Sequence, residues 1–188
     1  MTAAVRPPVP ADEDAVLAVV FDAFSSPGRD GSEEVEIVRR TWRRCPPPDR
    51  IELVAEPGGV RYYNDSIATT PESTMVALEA FREPIVLIAG GSSKNLSFAE
   101  VGRRIARRAK AVVLIGATAP EIERAIRAGG APVPPIHSAE SLEDAVRLAH
   151  RIAQPGDVVL LSPACASFDM FRNYAERGQK FRELVRSL

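Results

Sequence analysis

Three runs without a single polar side chain constrain this chain more than any other feature: Ile85-Val86-Leu87-Ile88-Ala89, Ala111-Val112-Val113-Leu114-Ile115 and Val158-Val159-Leu160-Leu161. A strand with one solvated face alternates apolar and polar residues, whereas a strand covered on both faces reads as a continuous apolar run. Between these runs the period lengthens to that of a helix. Phe98, Val101, Ile105 and Ala109 share one face, with Arg103, Arg104, Arg107 and Arg108 away from it; Leu142, Ala145, Leu148 and Ile152 repeat the pattern. Strand and helix alternating at this spacing predict an α/β fold, a doubly wound, mostly parallel sheet with right-handed crossovers.

Smaller signals fill in the elements. Residues 133–137 read as an edge strand, because Pro132, Pro134 and Pro135 cannot donate to a central ladder. Residues 50–56 and 60–63 flank Pro57-Gly58-Gly59 and predict a β-hairpin. Three helix starts fit a capping box, in which a hydroxyl and a carboxylate satisfy first-turn amides: Ser97 with Glu100, Thr118 with Glu121, and Thr69 with Glu72. Ahead of the hairpin, residues 12–24 and 33–44 read as two helices, the second with Val35, Val38 and Trp42 on one side. Cys45-Pro46-Pro47-Pro48 stops it as a stiff linker. The chain therefore divides into an N-terminal helical segment with a Pro-rich linker, residues 1–47, and an α/β domain, residues 48–188.

Composition enters mainly by exclusion. A net charge of −1 gives no electrostatic case for nucleic acid or an anionic membrane, and the arginine pairs at helical spacing read as solvated faces. No apolar run approaches the roughly 20 residues that span a bilayer, and the first residues lack a signal-peptide core. Cys45 and Cys165 stand at no metal or redox spacing, and His137 and His150 have no ligand partners, so no metal site is assigned. These features predict a cytoplasmic protein.

Three loops follow strand-type runs and carry small polar residues, where an α/β fold places its ligand site. The first is Asn64-Asp65-Ser66-Ile67-Ala68-Thr69-Thr70. Its Asp65, Thr69 and Thr70 could meet a nucleotide sugar, a metal or an anion, or simply cap the following helix, which spacing alone favours. The second, Gly90-Gly91-Ser92-Ser93-Lys94, turns backbone amides and an ammonium into the crevice. This suits an anionic ligand, although a surface lysine reads equally well. It is not a P-loop: G-x-x-x-x-G-K-[ST] occurs nowhere in the sequence, nor does G-x-G-x-x-G after a strand. The third, residues 162–169, opens the final helix, where Phe168, Phe171, Phe181, Leu184 and Val185 form a core-facing stripe and Ser167 could hold a carboxylate or cap. Cys165, between alanines and without a base, reads as a buried structural thiol; no catalytic residue is assigned.

These loops, in this order and spacing, resemble the C-terminal domain of the Mur ligases, in particular the glutamate-adding branch. The resemblance runs from about residue 48 to residue 188 and is most specific at residues 60–70, 90–94 and 161–178. It implies a domain that holds glutamate for an ATP-dependent ligase adding D-glutamate to UDP-N-acetylmuramoyl-L-alanine, through an acyl phosphate, in peptidoglycan precursor synthesis. Carried over by position, Arg50 and Asp65 would contact the adenine nucleotide; Thr69, Lys94, Ser167 and the backbone at Phe168 would hold glutamate; and Tyr174 stands where the family usually has phenylalanine. Ile67 replaces a lysine common in the first loop, and Asp49 replaces a histidine, so an L-glutamate-adding relative is a second possibility.

The family's UDP-binding and central ATPase domains, with their P-loop and magnesium ligands, have no counterpart in the sequence. The resemblance thus implies that the chain is inactive alone, with ATP and Mg2+ handled through those missing domains as partners. A non-catalytic module that binds glutamate or nucleotide is an alternative. Residues 5–16 also resemble the opening strand and helix of a GNAT acetyltransferase, but the R/Q-x-x-G-x-G/A loop of that family is not present.

Overall fold

The structure, a computed structural model, describes residues 51–130 and 132–188. The segment expected at residues 1–47, its boundary and Arg50 lie outside the described residues. In chain order the elements are β1 (Glu52–Ala55), β2 (Arg61–Asn64), α1 (Pro71–Glu79), β3 (Ile85–Gly90), α2 (Ala99–Arg108), β4 (Ala109–Ile115), α3 (Ala119–Arg127), β5 (Ile136–Ser138), α4 (Leu142–Ile152), β6 (Val158–Leu161) and α5 (Tyr174–Arg186).

The six strands form one sheet in the order β1-β2-β6-β3-β4-β5. β1 pairs antiparallel with β2 across a 3-10 turn at Pro57–Gly59, and every other pairing is parallel. The three apolar runs lie in β6, β3 and β4, three adjacent interior strands of the sheet, and β3 and β6 are buried along their whole length. On one face Val86, Ile88, Val113, Ile115, Val159 and Leu161 pack with Leu142, Ala145, Val146 and Ala149 of α4 and with Phe181 and Val185 of α5. Because side chains alternate along a strand, Ile85, Leu87, Val112, Leu114 and Leu160 take the other face. There α1 packs on α2 and α2 on α3. The edge strand predicted at residues 133–137 forms at Ile136–Ser138 against β4, displaced past its prolines.

The helix starts depart from the expected capping boxes, each for a local reason. The cap of α1 is Thr70, whose hydroxyl accepts from the Ser73 amide at 3.4 Å, with Pro71 in the first turn; Thr69 is left for other work. At α2 the Ser97 hydroxyl accepts from the Ala99 amide, Glu100 pairs with Arg103, and the cap position is Phe98, whose ring is buried. The Thr118 hydroxyl ahead of α3 is taken by Gly91, accepting from its amide at 3.1 Å and donating to its carbonyl at 3.0 Å. Ala109, expected on the apolar face of α2, begins β4 instead.

Two of the arginines expected in a solvated face turn inward. Arg104 pairs with Glu79 at 3.2 Å, and Arg108 donates to the Phe81 carbonyl at 2.6 Å, so both tie α2 to the end of α1. The last helix starts later than expected, at Tyr174, with Asn173 as its cap. Phe168, expected in the core stripe, is consequently 73% exposed.

Candidate functional site

At the carboxyl ends of β2, β6 and β3 the chain leaves toward opposite faces of the sheet: β2 and β3 lead to α1 and α2, while the neighbouring β6 leads to α5 on the other side. Adjacent strands that part in this way open a crevice at their ends, the usual ligand position in open α/β sheets. All three polar loops sit there.

The first loop is held from behind. The Asp65 amide donates to the Leu161 carbonyl at 2.8 Å, Ala68 N–H returns to the Asp65 carbonyl at 2.9 Å, and the Ser66 amide donates to the Asn64 side chain. Asp65 is only 1% exposed. Its Oδ2 accepts from the Ser162 hydroxyl at 2.8 Å, and the Thr74 hydroxyl donates to the Ser162 carbonyl at 3.2 Å, so the carboxylate fastens the first loop to the third.

The second loop needs its glycines. Gly91 has φ +146°, and a Cβ there would collide with the Ala166 carbonyl oxygen. With no side chain in the way, Gly90 N–H donates to the Pro163 carbonyl at 2.8 Å and Ser92 N–H to that of Ala166 at 2.9 Å. The chain then carries Lys94 out over the first loop, where Nζ donates to the Thr69 hydroxyl at 3.1 Å. These two residues, twenty-five positions apart, meet at an exposed mouth with the apolar side chain of Ile67 nearby in sequence, 40% exposed.

The third loop turns rather than starting a helix. The Ser167 carbonyl accepts from the amides of Met170 and Phe171 at 3.2 and 2.8 Å, and the residue itself is buried. Phe168 N–H donates to the Ser92 hydroxyl at 3.2 Å, so the backbone expected to hold a ligand has a protein partner here. Tyr174, half-exposed, opens α5, and its carbonyl accepts from the Ser66 hydroxyl at 2.7 Å. Cys165 is buried, as its sequence setting suggests. Desolvation pushes its thiol up to about 11, with the Thr118 hydroxyl at 3.1 Å partly opposing that rise.

The structure thus joins Thr69 to Lys94 directly and Phe168 to the glycine loop through Ser92. Asp65 is placed behind the mouth as an anchor. Sequence reasoning missed Arg177, which is fully buried and donates to both the first and third loops. A signal existed: Arg177, Phe181 and Val185 fall at helical spacing, so a charged residue continues an apolar stripe.

The described residues on this rim bear differently on a nucleotide and on a metal. The Asp65 carboxylate faces protein, and no group of three His, Cys, Asp or Glu side chains could hold a metal ion among those residues. A separate groove, lined by Leu96, Phe98, Arg103, Glu121 and Arg124, lies between the starts of α2 and α3. No helix among the described residues is long and apolar enough to cross a membrane.

Comparison with known proteins gives a consistent picture. Residues 49–165 match the family described as Mur ligase, glutamate ligase domain. The chain is 49% identical over 144 residues to the UDP-N-acetylmuramoylalanine–D-glutamate ligase of Acetivibrio thermocellus, covering 74% of this chain and 31% of that enzyme. It is 51% identical over 139 residues to the ligase of the same name from Pelotomaculum thermopropionicum, covering 74% and 30%. The chain therefore spans about a third of the length of the curated relatives it matches. Among solved structures, a domain assigned to a UDP-N-acetylmuramate:L-alanyl-gamma-D-glutamyl-medo-diaminopimelate ligase of Haemophilus ducreyi superposes with a TM-score of 0.50 at 16% identity. That match covers 72% of this chain and 99% of the other and shows a shared fold.

Proposed function

This chain belongs to the Mur ligase family through its glutamate ligase domain, and from that premise we propose that its crevice binds glutamate as the incoming amino acid of an ATP-dependent ligase. The acceptor would be UDP-N-acetylmuramoyl-L-alanine, and the product a precursor of peptidoglycan. The observation that carries this reading is the Lys94 ammonium held over the first loop by Thr69, 3.1 Å away. Free glutamate presents two carboxylates, and an exposed ammonium beside a hydroxyl offers one of them a charge-assisted hydrogen bond. Ser167 and the Phe168 amide are candidates for the second carboxylate, with Tyr174 closing one side; the Phe168 amide would first exchange its bond to Ser92.

Amide formation needs an activated carboxyl group. We assign ATP activation, its Mg2+, and binding of the UDP-sugar to other ligase domains working with this one, because no P-loop pattern occurs in the sequence. Arg50 and Asp65 are the residues of this chain that would meet the adenine nucleotide, and Asp65 also ties its loop to Ser162. Both enantiomers belong in the test, since the exposed Ile67 at the mouth supplies no charge for a carboxylate.

Isothermal titration of the chain with D- and L-glutamate tests the reading. We expect saturable binding of the D enantiomer, and a loss of about tenfold or more in Lys94→Ala, the size expected when a charge-assisted bond is removed. Unchanged affinity in Lys94→Ala would overturn the assignment of the mouth.

A further inference from the structure

Arg177, in the first turn of α5, is 0% exposed, and among the described residues it forms no ion pair. All of its hydrogen bonds run to neutral acceptors. Nε donates to the Ser66 hydroxyl at 2.9 Å, and Nη2 donates to the Ser66 carbonyl at 2.8 Å and to the Cys165 carbonyl at 3.2 Å. Nη1 donates to the carbonyls of Cys165 and Ala166 at 3.2 and 3.4 Å. Burying a cation outside ion-pair distance of any carboxylate is costly, and the charges of Asp169 and Asp65 offset only part of that cost. Desolvation lowers its pKa to about 10, which still leaves it charged at neutral pH.

The geometry shows what this costly group holds. Ser66 sits between Asp65 and the stretch that reaches Thr69, while Ala166 immediately precedes Ser167. Ser66 also donates its hydroxyl to the Tyr174 carbonyl, one turn from Arg177 on the same helix, so first loop, guanidinium and helix start form a closed ring. Gly91 lies against it too, with a Cβ there only 3.3 Å from Nη1. A planar fork with five donors can span two loops in a fixed geometry; a lysine ammonium on a flexible stem cannot.

We propose that Arg177 is the positioning residue of the crevice, clamping the loop at Ser66 to the loop at Cys165 and Ala166 and so fixing Thr69 and Lys94 relative to Ser167. This rests on the glutamate reading of that crevice. Arg177 touches no ligand; it acts through the two loops that would.

The test compares Arg177→Lys, Arg177→Met and Ser66→Ala with the unaltered chain, by calorimetric titration with D-glutamate and by amide hydrogen exchange. Ser66→Ala removes one acceptor and serves if the Arg177 variants fail to fold. The expected result is faster exchange confined to residues 64–70 and 162–169, with β3 and β4 unchanged. Glutamate affinity should fall by about tenfold or more in Arg177→Lys despite its retained charge, and by less in Ser66→Ala. Folded Arg177→Lys that binds glutamate as the unaltered chain does, with quiet loops, would overturn the proposal. So would exchange raised uniformly across the sheet, which marks a general core role. If the unaltered chain itself binds no glutamate, the glutamate reading fails, while the exchange pattern still decides whether Arg177 clamps the loops.

Discussion

Three buried ionisable side chains report how dry the interior behind the crevice is, and their signs differ. Burial pushes the Cys165 thiol up from 9.0 to about 11 and the Tyr62 phenol up from 10.0 to about 12, the latter with its hydroxyl 2.7 Å from His150 Nδ1. An acid whose pKa is raised on folding keeps its proton longer in the native state, so its contribution to stability is full below the unfolded pKa and is lost as pH rises through the folded one. For Cys165 that window runs from about pH 9 to about pH 11. Arg177, a base with a lowered pKa, acts in the opposite sense: above about pH 10 its burial ceases to cost a charge. Of these three groups, Cys165 gives the first alkaline loss. Thermal melts should show stability declining from pH 9, with a shallower decline in Cys165→Ala. Iodoacetamide at pH 9 should label Cys165 slowly in the folded chain and readily in urea; equal rates would show that the thiol is neither buried nor raised.

Elements were legible wherever one physical requirement dominated. Strands covered on both faces have to be continuously apolar, and the three such runs lie in three adjacent interior strands. Helix ends were less legible, because a hydroxyl at a cap position can be claimed from elsewhere in the fold. Thr118 went to Gly91, and the cap of α1 moved one residue, from Thr69 to Thr70. That shift separates two roles. Thr70→Ala should destabilise the chain by about 1 kcal/mol, as loss of a helix cap does, whereas Thr69→Ala should leave stability nearly unchanged and weaken glutamate binding. Urea unfolding and calorimetry on the pair check this; equal stability losses would contradict it. The site was legible in part for the same reason. Small polar residues after apolar runs located the three loops, but spacing along the chain carries no information on which side chains will face one another. The contact between Thr69 and Lys94 and the clamp at Arg177 are made by loops brought together only by the strand order β2-β6-β3.

At the scale of the molecule, that strand order is what makes a crevice at all. β6 is last in the chain yet lies between β2 and β3, so its outgoing loop to α5 crosses the loops that lead to α1 and α2. The hydrogen bonds from Gly90, Ser92, Asp65 and Arg177 then knit three distant segments into one rim. The chain spans about a third of its curated relatives, and the role proposed for that third is to hold the amino acid. The most direct measurement is amide chemical-shift mapping by NMR during titration of the chain with D-glutamate, which detects even weak binding residue by residue. Saturable shifts concentrated at residues 65–70, 92–95 and 166–169, and lost in Lys94→Ala, are the predicted result. An absence of shifts there at saturation of solubility, or shifts centred instead on the groove between α2 and α3, would contradict the account.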